Sequence, residues 1–590
     1  MKKTQIFVLM FFSLSFILQA QTKVSIDPDT RHQEIEGWGS SLCWWANKVG
    51  KWSNESKIDQ IIDFMTHPDK MNMNIFRYNI GGGDNPSHYS TPSTPGHMAK
   101  GKGERCEMDG FWPGKDEAFD WTKDAGQLRV LQKINTKRSD AIFEAFSNSP
   151  PYWMTRSGCS SGVNGGTSSN IFSAGLALLA AFNVPSNLKE DHYGDFCYYL
   201  VEVCKHIKET YEIEFRTIEP FNEPSLIAGL SAWHTNSNFS TLQGGTQEGC
   251  HFKPEAQKQI VPLLFEELQK SGLNTVISAA DETNISLSIN TIKEYEKTQG
   301  LMDMIGQINT HTYDGTDANR RELLALATKH NKRLWQSETG PLNIAETGLI
   351  SHLKLAQILF DDMKVLKPSA WIDWQFMEEG NLEWSQINGN FQNEIWNIGK
   401  NAYVRMQVTR FIKQGYTLIE NDNKSVLTAI SPDQTELVIV VLNTETTDIN
   451  YEFDLSAFHQ PLEGKRYRTS ANENCYNNPR AGVETTGKKI NYSAPRESIT
   501  TFVIPCQLSD NSNTSDAQAK TIVHTNTTEG ELTITNLSQN ARIGIFTTQG
   551  VPVYQKQASD TKMTFTLPTG IYLLKVQDGN TLYKSKVLIR

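Results

Sequence analysis

Eight short β-rich runs, each followed by a stretch of helical periodicity or a long loop, occupy residues 35 to 377 of the chain. They are IEGWGSS (35–41), NIFRYNI (74–80), AIFEAFSNS (141–149), FRTIEPFNE (215–223), TVISAADE (275–282), MIGQINTHTY (304–313), RLWQSETG (333–340) and AWIDWQFM (370–377). Strands alternating with helices build a parallel sheet with crossover helices. Eight strands close a (β/α)8 barrel, and the span of about 370 residues suits one with long loops at its mouth. An open doubly wound sheet satisfies the same alternation. The runs share one further property: their C-terminal ends carry Trp38 and Ser40, Arg77 and Asn79, Asn148, Asn222 and Glu223, Asp281 and Glu282, His311 and Tyr313, Glu338, then Trp374 and Gln375. In a barrel that end is where active sites assemble from several strands.

The rest of the chain divides around this block. Residues 1–20 have a basic start (Lys2, Lys3), an apolar run from Ile6 to Leu18 and a small residue, Ala20. This is the pattern of a cleaved export signal, too short to span a bilayer as an anchor. Residues 21–400 read as the α/β TIM barrel, with the strand KVSID near residue 24 joining a β-sandwich at 401–506 (SVLTAI, ELVIVVLN, SITTFVIP). The polar stretch QLSDNSNTSDAQAK and the residues after it, 507–522, read as a linker. A small all-β domain closes the chain at 523–590, with ELTITNL, ARIGIFTT, TKMTFTL, GIYLLKVQ and KSKVLIR.

Charge narrows the partners. The formal net charge is −10, or −12 once the two signal lysines are removed, and no basic stripe is present. Nucleic acid is therefore not an expected partner, because phosphate binding needs clustered Lys and Arg. No later segment is apolar for long enough to span a membrane. Cys197 and Cys204 lie seven residues apart in a helical pattern, roughly 10 Å along the axis, and are expected as core thiols. Cys475 with Cys506, and Cys159 with Cys250, are the candidate disulfide pairs.

Two carboxylates end barrel strands: Glu223 in FNEP and Glu338 in WQSETG. Glycoside hydrolysis needs such a pair across the scissile bond, one protonated to assist the leaving oxygen and one ionised to attack or stabilise the anomeric centre. An isolated Asn-Glu-Pro reads equally as a strand-to-loop turn; the joint placement on the fourth and seventh strands favours catalysis. Asn222 is positioned to bond a sugar hydroxyl, and Pro224 is expected to hold Glu223 in extended backbone geometry. Trp38, Trp153, Trp233, Tyr313 and Trp374 are candidate stacking platforms for sugar rings, with Trp44, Trp45 and Trp384 ranked behind them. Arg77 is a candidate to hold a catalytic carboxylate ionised, His311 and Tyr313 to support Glu338, and Asn148 to contact substrate. Asp281 and Glu282 compete as carboxylates but lack a companion motif. GGGD (81–84) lacks phosphate-loop features and reads as a tight turn, and no HExxH or calcium-loop pattern occurs, so no metal or other cofactor is expected.

Taken together, EGWGSSLCWWA, FRYNIGGGD, FSNSPPYWMT, IEPFNEP, QEGCHF, WQSETG, WIDWQF and VTRFIKQGY resemble glycoside hydrolase family 30, a retaining family of clan A, over roughly residues 24 to 506. The resemblance implies Glu223 as general acid/base and Glu338 as nucleophile. SSLCWWAN, NSPPYWMT, EPFNEPS and QEGCHF are most similar to the endo-β-1,6-galactanase branch, which cuts β-1,6-galactan side chains of arabinogalactan. β-1,6-Glucanase and glucuronoxylanase are the alternatives within the family, and a non-catalytic carbohydrate-binding surface protein is the alternative of another class. PTGIYLLKVQDGN and KSKVLIR resemble C-terminal sorting domains, which implies the type IX secretion machinery as a partner and a secreted or cell-surface location.

Overall fold

The computed structural model describes residues 21–83, 109–156, 158, 160, 186–225, 248–459, 463–477, 483, 487–508, 522–526, 530–535, 537–538, 541–547, 552–578 and 581–589. The expected export signal at 1–20 lies outside them. After an N-terminal strand β1 (Thr22–Glu34), eight parallel strands close a barrel: β2 (Gly37–Ser41), β3 (Ile75–Asn79), β4 (Ile142–Phe146), β5 (Thr217–Glu219), β6 (Val276–Ala279), β7 (Ile305–His311), β8 (Arg333–Glu338) and β9 (Ala370–Asp373). All eight expected runs are strands of this barrel, and the alternative of an open sheet is excluded by the pairing of β2 with β9.

Side chains alternate along each strand. At the barrel's base the interior is apolar, with Ile75, Trp335, Ala370 and Ile372 packed together. Phe76 and Tyr78, on the opposite face of β3, point into the large core shared with the surrounding helices. Close packing of β2 on β3 requires glycine, since a Cβ on Gly39 would stand 2.2 Å from the Ile75 carbonyl oxygen. The helices turn their apolar stripes to the strands. In Glu55–Thr66, capped by the Asn54 side chain, Ile58, Ile61, Ile62 and Met65 are buried. In Tyr193–Tyr211, Cys197 and Cys204 are buried as expected of core thiols.

Beyond β9 the chain forms a three-stranded sheet, β10 (Gln375–Glu378), β11 (Ser385–Asn390) and β12 (Ile395–Ile398), then enters a nine-stranded sheet. Here β1 lies between the strands Thr417–Asn421 and Ile449–Asp454, so both ends of the barrel segment feed one sandwich. Val24 and Ile26 fill its core beside Ile439, Phe453 and Phe502.

Two expectations need correction. Gln507 and Leu508 are not linker, because they pair with Phe458–His459 as a short antiparallel ladder; residue 522 already begins a strand, Ile522–Asn526, and 509–521 lie outside the described residues. Cys475 and Cys506 do not pair: both are buried free thiols, Cys475 in the large barrel core and Cys506 in the sandwich core. Cys250 is also a free buried thiol, and Cys159 lies outside the described residues.

Contacts divide the chain into Met1–Ser509 and Asp510–Arg590. The second unit holds a three-stranded and a four-stranded antiparallel sheet around Leu532, Ile534, Ile543, Ile545, Phe565 and Leu574. Among the described residues no helix is long and apolar enough to cross a membrane.

Candidate active site

Arg77 organises the barrel interior. It is fully buried on β3, donates from Nε to Glu144 Oε1 at 2.9 Å and from Nη1 to Glu338 Oε2 at 3.2 Å, and bonds Asp281 through Nη2. Its guanidinium lies 4.2 Å from the centre of the Phe146 ring. Burial alone would disfavour this cation, but Asp281, Glu144 and Glu338 outweigh it and raise its pKa further. Glu144, its neighbour in register on β4, also accepts from Thr217, Ser278 and Asn309. Asp281 accepts from Ser337 as well; burial pushes its carboxyl up, and Arg77 and His311 pull it below the usual carboxylate range.

Above this layer stand the two expected acids. One carboxylate oxygen each from Glu223 and Glu338, with one ring nitrogen of His311, lie within 4.8 Å of one another. His311 Nδ1 is 3.3 Å from Glu223 Oε1 and 3.4 Å from Glu338 Oε1. Burial would lower the His311 pKa, yet Glu338, Asp281 and Glu223 together raise it to about 10, so the ring is cationic at neutral pH. Burial pushes Glu338 up to about 7, opposed by His311 and Arg77. Donors surround Glu338: Arg77 Nη1, Tyr313 Oη at 2.9 Å and the cationic imidazole. All three favour its ionised form. The Glu223 side chain is the more exposed, at 12% against 5% for Glu338.

Glu223 does not have the extended backbone expected from Pro224. Its φ is +48°, a left-handed conformation uncommon for a residue with a side chain. Tertiary bonds impose it: the Glu223 N–H donates to the Asp281 carbonyl at 2.7 Å, and Asn222 bridges to Asp281 alongside. Backbone of this kind costs about 1–3 kcal/mol and is found where the surroundings over-determine it. Asn222 is buried, and its Oδ1 accepts no hydrogen bond from the described residues.

The other expected residues separate. Asn148 is buried at the mouth, donating to Asn79 Oδ1 at 3.2 Å and lying 3.7 Å from Cys43 Sγ. Trp374 meets Trp44 edge-on at 5.1 Å in a cluster with Cys43 and Phe146, against which Trp384 packs. Trp38 is corrected: it points out of the barrel into the core, 2% exposed, with Nε1 donating to the Ile412 carbonyl. Period-two alternation sends Trp38 and Ser40 to the same face of β2 and away from the barrel axis. Trp153 is held in a separate aromatic group, donating to the Trp112 carbonyl and meeting Trp112 and His192 edge-on.

The sequence ranks Asp281 and Trp384 low and does not single out Glu144 or Glu248 as site residues, and Trp233 lies outside the described residues. A lone acid inside an apolar run, as in IFEAF, was the available signal for Glu144. Glu248 lies inside the QEGCHF motif but in a loop with no strand-end signal, and it acts by accepting from Asn79 Nδ2 and the Gly82 N–H. Trp384 reaches the site because Gly340 leaves room; a Cβ there would stand 2.6 Å from its ring. Glu282 is structural, bonded to Ser225 and Thr291. Of the GGGD turn, Gly81–Gly83 are described, and Gly83 has φ of +70°.

A closed eight-stranded barrel with two carboxyl groups facing one another at its mouth defines a barrel glycoside hydrolase. Residues 21–332 match O-Glycosyl hydrolase family 30, and residues 523–590 match a secretion system C-terminal sorting domain. The chain is 30% identical to an endo-β-1,6-galactanase from Hypocrea rufa over 72% of its own length and 82% of that protein. It is 23% identical to an exo-β-1,6-galactobiohydrolase of Bifidobacterium longum over 77% of its length and 36% of that protein. Among solved structures, a conserved exported protein from Bacteroides fragilis superposes with a TM-score of 0.64 at 20% identity, covering 82% of this chain and all of that one. A family 30 subfamily 8 xylanase from Clostridium acetobutylicum gives 0.58 at 17%, covering 82% and 99%. The chain belongs to glycoside hydrolase family 30.

Proposed function

We propose that this chain is a retaining endo-β-1,6-galactanase, exported to the cell surface or medium, that cleaves internal bonds in the galactan side chains of arabinogalactan. The observation that carries the mechanism is the approach of one carboxylate oxygen of Glu223 and one of Glu338 to within 4.8 Å of each other across His311. Retention uses carboxyl groups about 5–5.5 Å apart, whereas inversion needs about 6.5–9.5 Å to admit a water. Glu338, ringed by donors, attacks the anomeric carbon as a carboxylate and forms a glycosyl ester. Glu223, the more exposed acid, gives its proton to the departing glycosidic oxygen and then takes one from the water that opens the ester. Arg77 and Tyr313 orient Glu338, His311 holds both acids at a common nitrogen, and the open acceptor of Asn222 suits a sugar hydroxyl near the reacting carbon. Trp374 and Asn148 belong to the same mouth.

The substrate rests on the relatives, both of which are named for β-1,6-galactosyl bonds. Residues 1–20 would direct export, and the sorting domain at 523–590 would engage the type IX machinery. In the same reading 21–400 forms the catalytic barrel and 401–506 the sandwich. The test is product analysis on β-1,6-galactan, β-1,6-glucan and glucuronoxylan in parallel. Short β-1,6-galacto-oligosaccharides are the expected products; activity on xylan or glucan alone would overturn the substrate.

A further inference from the structure

Between the helix Glu55–Thr66 and β12 runs a groove of about 450 Å³, whose lining includes Asp59, Gln60, Asp63, Lys70, Trp396 and Ile398. None of these residues belongs to the strand ends that carry Glu223 and Glu338. Among the described residues β12 is an edge strand, paired on one side only, to β11. It leaves Ile395 49% and Ile398 36% exposed, and Trp396 leans on Phe64 at 6.0 Å between ring centres. Exposed large apolar side chains on an unpaired edge are a liability that folds ordinarily suppress. Opposite them the helix presents fixed acceptors. Lys133 holds Asp59 by Oδ1 at 2.7 Å and Lys70 holds Asp63 by Oδ2 at 2.6 Å. Among the described residues no donor reaches Asp59 Oδ2 or Asp63 Oδ1. The two acids are one helical turn apart, with Cβ atoms about 5–6 Å from each other, the scale of one sugar ring.

We propose that this groove is a second carbohydrate-binding site that holds the polymer substrate outside the catalytic mouth. Trp396 and Ile398 meet the C–H face of a sugar, and the open oxygens of Asp59 and Asp63 accept from its hydroxyls. A neutral glycan suits this rim, where each acid is already paired with a lysine and keeps one further oxygen for a hydroxyl donor. A second contact raises the local concentration of chain at the mouth with no change in the chemistry. The inference rests on the reading of the protein as a polysaccharide hydrolase.

The test uses the full chain. Binding is measured by native affinity electrophoresis in gels containing β-1,6-galactan, in a Glu338→Gln background; turnover of β-1,6-galactotetraose is measured in the active background. Trp396→Ala, and separately Asp59→Asn with Asp63→Asn, are expected to weaken retention at least about fivefold and leave tetraose kcat/KM within about twofold. The double Asn variant keeps the fold question apart from the loss of an indole. Unchanged retention in both variants overturns the proposal. So does an equal fall in tetraose turnover, which would assign the effect to the mouth, or a shift from dimer to monomer by light scattering with retention intact. If the wild type cleaves no galactan while its retention on glucan or xylan depends on Trp396, the galactan reading fails and the groove stands.

Discussion

His311 Nδ1 lies 3.4 Å from Glu338 Oε1, in a pocket where both side chains are almost wholly removed from water. Burial acts on them in opposite senses, lowering the imidazole and raising the carboxyl, and their mutual attraction reverses the first and limits the second.

Removing the cation therefore moves the titration of Glu338. With His311→Asn the carboxyl, already at about 7, rises further, so its ionised fraction at pH 6 falls. The acidic limb of kcat/KM is expected to move up by about one unit, and activity at pH 6 to fall about tenfold beyond any loss at the optimum. Tyr313→Phe, which removes a neutral donor to Glu338, should shift the limb in the same direction by less. A pH–rate profile measures both, and its apparent values belong to the coupled site. An unmoved acidic limb in His311→Asn would remove His311 from this role.

The separation of the two acids makes a stereochemical prediction. Proton NMR of the first minutes of galactan hydrolysis should show the β-anomer of the new reducing end ahead of the α-anomer. Glu338→Gln and Glu223→Gln should each lose about 10³-fold or more in kcat while still binding galactan. An α-anomer appearing first would mean inversion, and wild-type-like turnover in either variant would end the assignment of roles.

Arg77 contacts three carboxylates, on β4, on β8 and just beyond β6, so its loss leaves buried charge uncompensated. Arg77→Met is expected to destabilise the barrel by about 3–5 kcal/mol, read by urea unfolding followed by tryptophan fluorescence. Arg77→Lys keeps the charge but not the planar fork, and should lose kcat more than stability.

Asp124 gives a prediction away from the mouth. Burial raises its carboxyl to about 8 against hydrogen bonds from Tyr78 and Gln127. The folded state thus keeps a proton that the unfolded chain releases near 3.8. Its contribution is fully present below that value and declines as pH rises towards about 8, by up to about 1.4 kcal/mol per unit. Asp124→Asn should flatten this slope, gaining stability relative to wild type between pH 5 and pH 8 in denaturation midpoints at each pH.

Much of this fold could be read in advance because barrel strands leave a local signature: a short β-rich run between helical stretches, with chemistry at one end. Glu223 and Glu338 were found that way. Trp38 misled for a related reason. It too sits at a strand end, but the side of the sheet it faces depends on how β2 is registered against β3 and β9. The expectation for Glu223 failed because a local rule, the restriction before proline, was overruled by a hydrogen bond to Asp281, 58 positions later in the chain.

From the sequence alone came the number and order of the strands, the placement of Glu223 and Glu338 at strand ends, and the β-rich character of the segments after residue 401. Those follow from residue type and period, which are properties of neighbours along the chain. The tertiary structure alone decided that Asp281 and Glu144 flank Arg77, that His311 lies between the acids, that Cys475 and Cys506 stay apart, and that Trp396 faces Asp59 and Asp63. Each is a meeting of side chains from distant segments, fixed by barrel closure and register, and distance along a chain does not encode distance in space.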